Sequence, residues 1–237
     1  MAIYGLNKAS QADLARSIST AFNAAGIVET EHILSGSHYI VKTTMFDFVV
    51  YFTSNDATHQ RIYTYIGDEY VSGTTILNPK TINVVNSGNI TQDSVVIITP
   101  KVIAVSDKRH DRVWSAVFAR CNVGMLSEKQ LAFGFGSSSI SVQSYNYTDD
   151  QLVFPVAPNT LLRSPTGGYY TADVVLKGVD NRLLAESVDG MTFVTKAGDF
   201  SASYIVVGDD VIMPLGITNV MSGEEISVSL LIENGAV

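Results

Sequence analysis

The chain has 237 residues, 46% apolar and only 16% charged, with a formal net charge of -8. An average soluble domain has about 25% charged residues, so either partners cover much of the surface or a well-buried two-domain interior lies under a Ser/Thr/Asn surface. The acidity argues against a general nucleic-acid binder, the single Cys121 excludes an internal disulfide, and no apolar run reaches the roughly 20 residues of a membrane helix.

The opening stretch MAIYGLNKASQ has no basic start followed by an apolar core, so it does not read as a secretory signal. Synthesis in a reducing cytosol fits the single cysteine. Leu14, Ile18, Ala21, Phe22 and Ala25 then recur at helical spacing. Ser10 with Asp13 resembles a capping box, and Gly26 suits a left-handed C-cap. The spacing predicts a helix over 10–25 whose apolar stripe packs on a sheet rather than in a partner's groove.

Strand patterns follow at Val28 to Leu34 and Tyr39 to Thr44, around Ser35-Gly36-Ser37. The stretch FDFVVYFTSNDATHQRIYTYI, 46–66, reads as two strands and a polar turn. Alternation puts Phe46, Phe48, Val50 and Phe52 on one face. Asp47, Val49, Tyr51, Tyr63 and Tyr65 fall on the other, which is too apolar to be left in water and has to be covered by the chain or by a neighbour. Asp47 would need a partner there. Gly67-Asp68 and Ser72-Gly73 break the pattern. Thr81 to Val85 and Val95 to Val105 are further strands, with Pro100 marking an edge or bulge. RVWSAVFAR, 112–120, reads as a strand, with helix the weaker option. Gly134-Phe135-Gly136 and the serines after it read as a break.

Prolines at 155, 158 and 165 follow the polar patch 146–150, so 149–166 is read as a boundary between an α+β region, 1–148, and a small all-β region, 167–237. The later strands are predicted at 169–177, 182–188, 191–195, 202–207, 210–213 and 225–232, with Asp189-Gly190 as a hairpin signal. The expected fold class is α+β and β-dominated. An N-terminal amphipathic helix packs on an antiparallel sheet, followed by a small all-β sandwich or barrel-like domain.

Candidate chemistry is sparse. Asp107-Lys108-Arg109-His110-Asp111 contains a histidine between carboxylates, which can titrate near neutrality, but a solvated loop is the favoured reading. His32, His38 and His59 read as surface-loop residues, since a metal site needs three or four convergent ligands. Gly134-Phe135-Gly136 lacks the third glycine of a dinucleotide loop. Cys121 beside Arg120 reads as a buried structural residue. A glycosidase would need a second carboxylate within about 5–10 Å of an acid such as Asp47. No catalytic, cofactor or metal residue is assigned.

Assembly contacts are the better candidates. Lys108, Arg109 and Arg112 belong to a basic segment, 101–120, where local nucleic-acid contact is the exception to the general argument from charge. From Ala197 onward there is no lysine or arginine, while Asp209, Asp210, Glu224 and Glu225 are present. These are two patches of opposite sign, as a head-to-tail contact between subunits requires. The C-terminal strand, with Val228, Leu230 and Ile232, has no lysine gatekeeper and must be paired or covered. Internal pairing is favoured over pairing with a neighbouring subunit.

The Thr/Ser/Asn-rich segments FDFVVYFTSNDATHQRIYTYIGDEYVSGTTIL and GYYTADVVLKGVDNRLLAESVDG, with the ending DDVIMPLGITNVMSGEEISVSLLIENG, resemble virion structural proteins of tailed bacteriophages. The resemblance is one of texture rather than of a diagnostic motif. It implies synthesis in a host cytoplasm and assembly in a virion, as a ring or lattice of copies with other virion proteins. It implies no cofactor, no small-molecule substrate, no membrane and no catalysis. A neck or tail component, such as a head–tail connector, is placed ahead of a capsid decoration protein. A carbohydrate-binding or host-adhesion module is the other reading, with Tyr63, Tyr65, Tyr169 and Tyr170 available to stack on sugars.

Overall fold

The structure is a computed structural model and describes residues 2–5, 11–34, 37–53, 62–85, 94–109, 112–123, 127–136, 139–144, 154–156, 170–177, 183–196, 205–207, 210–219 and 225–232. In chain order these form β1 (Ala2–Gly5), α1 (Gln11–Ala24), β2 (Val28–Leu34), β3 (His38–Thr43), β4 (Val49–Thr53), β5 (Ile62–Gly67), β6 (Tyr70–Ser72), β7 (Thr75–Ile76) and β8 (Lys80–Val85). There follow β9 (Ser94–Ile98), β10 (Val102–Arg109), β11 (Arg112–Val123), β12 (Ser127–Gly136), β13 (Ser139–Ser144) and β14 (Phe154–Val156). The last are β15 (Tyr170–Lys177), β16 (Leu183–Lys196), β17 (Ile205–Val207), β18 (Asp210–Asn219) and β19 (Glu225–Ile232). The fold is β-dominated, with one helix among the described residues packed on antiparallel sheets, as the residue patterns predict.

The helix ends where Gly26 allows it to. Gly26 has φ +68°, its N–H donates to the Asn23 carbonyl at 2.9 Å, and the Ile27 N–H donates to the Phe22 carbonyl at 3.3 Å. This is the Schellman arrangement, in which two otherwise unpaired carbonyls are satisfied. Phe22 and Ile27 both enter the core beside it. On the same helix, Ser19 donates to Glu31 Oε2 at 2.8 Å and Asn23 donates to Oε1 at 3.0 Å, tying α1 to β2.

Strands β2-β3-β4-β5-β8 form a five-stranded antiparallel sheet. Its inner face, with Tyr39, Val41, Val50, Phe52, Ile62 and Ile66, packs against Ala15, Ile18, Ala21 and Phe22 of the helix. The same core takes in Val96, Ile98, Ile103, Val105, Ala116, Phe118 and Ala132 from β9–β12. Phe118 lies among Phe46, Phe48 and Phe52, with ring centroids 5.9–6.4 Å away. The phenylalanine face thus meets both the helix and a second sheet.

That second sheet is buried on both sides. Val102, Ala104, Val117, Ala119 and Leu131 alternate with the core residues and are buried as well, with β18 lying against β11 and β12. Strands covered on both faces read as nearly continuous apolar runs, which is why 95–105 shows so little alternation. The C-terminal strands run β14-β15-β16-β19-β18-β17, and the described pairings do not close into a barrel.

Six sequence expectations need correction. Residues 95–105 are not one strand: β9 and β10 pair antiparallel and the chain reverses at 99–101, so Pro100 marks a hairpin turn rather than an edge or bulge. Asp107, Lys108 and Arg109 are strand residues of β10 rather than a loop. The first strand of the 46–66 stretch begins at Val49, and Asp47 lies in the bend before it rather than on a strand face. Gly134 to Gly136 continue β12, with Gly134 buried opposite Ala116 and Ser141. Asp189-Gly190 is not a hairpin, because β16 runs through it. Ser187 opposes Val175 and Thr192 opposes Asp173, so 188–191 bulge out of the ladder with β15, while Met191 stays paired with Leu230 of β19. Within the bulge Val188 pairs with Cys121 of β11, and Gly190 has φ +72°. A Cβ at Gly190 would sit 3.1 Å from Val102 Cγ2, so this glycine lets the C-terminal sheet join the central one closely. Finally, His32 and His38 are strand residues rather than loop residues.

Candidate functional site

The outer face of the five-stranded sheet gathers the polar aromatic side chains. Register aligns His32, Ile40, Tyr51 and Tyr65 in one row, and Leu34, His38, Thr53 and Tyr63 in the next. Tyr51 and Tyr65 stack with centroids 5.6 Å apart, and His32 stacks on Tyr70 at 3.7 Å and 22°. Ile40, Val49 and Ile76 form a small buried cluster with Leu34, Tyr51, Tyr65 and Tyr70 packed around it. The second face of the 46–66 strands is therefore covered in part by the chain's own β6–β7 hairpin. Val71 (53% exposed), Leu77 (43%) and, on edge strand β2, Ile33 (43%) remain in water.

His38 is the most constrained polar group on this face. Its Nδ1 lies 2.7 Å from the Tyr51 hydroxyl and 2.8 Å from Thr53 Oγ1. A bare Nδ1 accepts from such hydroxyls, and burial holds the imidazole below its ordinary pKa, favouring this neutral form. Burial also raises the Tyr51 hydroxyl pKa, with the neighbouring Tyr65 adding to the shift and Thr53 opposing it. On the inner face, burial raises Tyr39, and the Glu31 carboxylate raises it further. The Tyr39 hydroxyl lies near Glu31 and Ser19 with no well-aligned hydrogen bond among the described residues.

The bend before β4 is held from the other sheet. Gln130 of β12, buried, donates to Asp47 Oδ2 at 2.6 Å and accepts from the Asp47 N–H at 2.7 Å. Arg120 of β11 donates through Nε to the Met45 carbonyl at 3.1 Å and again through its terminal nitrogen. Lys42 donates to the Asp47 carbonyl. These contacts give Asp47 a structural partner.

The sequence-derived assembly residues lie elsewhere. Lys108 and Arg109 end β10 and Arg112 begins β11, with Arg109 and Arg112 directly opposite. Asp210 opposes Val207. Glu225 opposes Lys196 on one side and Asn219 on the other. Val228 and Leu230 lie on β19 between β16 and β18, and Ile232 opposes Val211 of β18. Both backbone edges of β19 are engaged along most of its length, so contact by these residues with a neighbour would go through a face. Asp209 and Glu224 lie outside the described residues, as do His59, His110 and Tyr169.

Sequence reasoning found the outer tyrosines but missed their histidine partners. The available signal was parity: His38 on β3 shares a face with Tyr51 once the hairpin register is fixed. Among the described residues no three His, Cys, Asp or Glu side chains converge on a metal position. Among the described residues no helix is long and apolar enough to cross a membrane. Compared with known proteins, the chain matches no family model and no curated sequence.

Proposed function

We propose that this chain is a non-enzymatic structural protein of a tailed-phage virion, joining copies of itself and neighbouring virion proteins in a ring or lattice. The observation that carries the reading is the outer sheet face. Half-buried Tyr51, Tyr63 and Tyr65 lie on it, and the β6–β7 hairpin, whose Ile76 clusters with Tyr51 and Tyr65, carries water-exposed Val71 and leads into exposed Leu77. Tyrosine-rich apolar patches with a polar rim are typical of protein contacts. The low charge content and the segregated basic 101–120 and acidic 197–237 segments support it, as does the textural resemblance to phage structural proteins. A neck or tail position is favoured over capsid decoration.

The deciding measurement is the mass of the purified protein in solution, followed by incorporation into particles. A discrete large oligomer, or a monomer that joins a particle, is expected. A chain that does neither overturns the reading. Reversing Arg109 and Arg112 to glutamate is expected to weaken assembly while the monomer stays folded, if the basic and acidic segments meet between subunits.

The half-exposed rings of Tyr63 and Tyr65 also favour a second reading, a carbohydrate-binding or adhesion surface. Titration with host surface polysaccharide separates the two.

A further inference from the structure

Between β5 and β8 the chain leaves the five-stranded sheet and doubles back over its outer face as β6–β7. Among the described residues the backbone of this hairpin pairs only with itself: Tyr70 opposes Ile76 and Ser72 opposes Thr75. Its base is closed by Asp68 N–H to the Leu77 carbonyl and Leu77 N–H to the Glu69 carbonyl, both 2.9 Å, and by Asn78 Nδ2 to Asp68 Oδ2 at 2.6 Å. Its tip turns at Gly73, φ +53°, and residues 71–75 are exposed.

Two side chains seat the hairpin on the sheet. Ile76 is buried among Ile40 and Val49, and the Tyr70 ring lies flat on His32. An isolated two-stranded hairpin is marginal in water, and the free energy of local opening follows the buried contacts that opening breaks. One aliphatic anchor and one ring stack are few beside the cores under β4 and β5.

We propose that β6–β7 is a strap that opens locally, its base bonds breaking as Ile76 and Tyr70 leave the sheet, without global unfolding, and so uncovers Ile40, Val49, Tyr51 and Tyr65. Its hinge is Gly67, where the strap returns so closely that a Cβ would stand 2.6 Å from the Leu77 carbonyl oxygen. As a gate on an assembly face the strap rests on the function proposed above, whereas its motion does not.

Hydrogen exchange on the full-length protein tests the motion. The Asp68 and Leu77 amides are expected to exchange at least about tenfold faster than ladder amides of β4 and β5. Ile76→Ala should speed them further and leave β4 and β5 protected. Equal rates in the wild-type protein overturn the strap, and that result stands even if the variant fails to fold. The mass of Ile76→Ala against wild type then tests the gate, with a shift toward the assembled form expected. Assembly unchanged by a lifted strap removes the gating role. Fast strap exchange in a chain that never assembles leaves the strap and overturns the proposed function instead.

Discussion

Gln130 and Asp47, 83 residues apart, bind each other twice: the amide oxygen takes the Asp47 N–H and the amide nitrogen reaches the carboxylate. The pair joins β12 to the bend that launches β4, so it fixes how the two sheets meet. Gln130→Leu removes both bonds and leaves a backbone donor unpaired. The expected cost is about 2 kcal/mol, read as a lower urea midpoint with an unchanged slope. Asp47→Asn keeps the backbone bond and should cost less.

Phe118 fills the space between Phe52 of β4 and Phe46 and Phe48 of the segment that leads into it, and is fully buried. Phe118→Ala is expected to destabilise by about 3–5 kcal/mol through lost burial and the cavity left behind. Phe118→Leu should cost a fraction of that. Denaturant titration of both variants separates cavity formation from loss of ring contacts.

Acid should destabilise the protein through His38. Its folded pKa is lowered from the ordinary 6.5, so the unfolded chain takes up the proton first as pH falls. Stability from this group is complete above the unfolded pKa. It declines as pH falls below that value and levels off beneath the folded one. His38→Asn retains an acceptor for Tyr51 but does not titrate. Its stability should therefore fall less steeply than that of wild type below pH 6.5 in thermal melts.

Gly26→Ala forces a Cβ into a left-handed position although nothing lies within 4 Å to clash with it. The loss should be about 1 kcal/mol, from backbone strain alone. Equilibrium unfolding with helix circular dichroism as the probe measures it. A loss several times larger would mean that the Schellman turn also positions Ile27.

The sequence made the helix legible because its apolar stripe and C-terminal glycine agreed; Ser10, the expected cap, lies outside the described residues. It made the faces of β4 and β5 legible because buried Val50, Phe52, Ile62 and Ile66 alternate with half-buried Tyr51, Tyr63 and Tyr65. The extent of β12 was hidden by Gly134, since a glycine marks a turn in isolation and a close strand in a packed sheet. Asp189-Gly190 misled for a related reason: the pair permits a positive φ, and here that freedom serves a bulge against Val102 instead of a reversal. The cross-sheet partners of Met45 and Asp47 left no local trace, because Arg120 and Gln130 are distant in sequence and ordinary in character. The outer face was half legible: its tyrosines followed parity, but its histidines needed the β3–β4 register.

The pairing of β1 with β9, Ala2 opposite Ile98 and Gly5 opposite Val95, has a consequence for the order of events during synthesis. The β2–β5 meander and its helix are local and can form early, yet the inner phenylalanine face they share is finished only by residues 96–132. Emerging chains therefore carry an uncovered aromatic surface while roughly the next 60 residues are made, several seconds or more at ordinary rates of about 5–20 residues per second. Long-range closure of this kind also slows refolding, because distant strands must meet before their contacts repay the loop entropy. In the cell, that interval is when this chain most needs a chaperone.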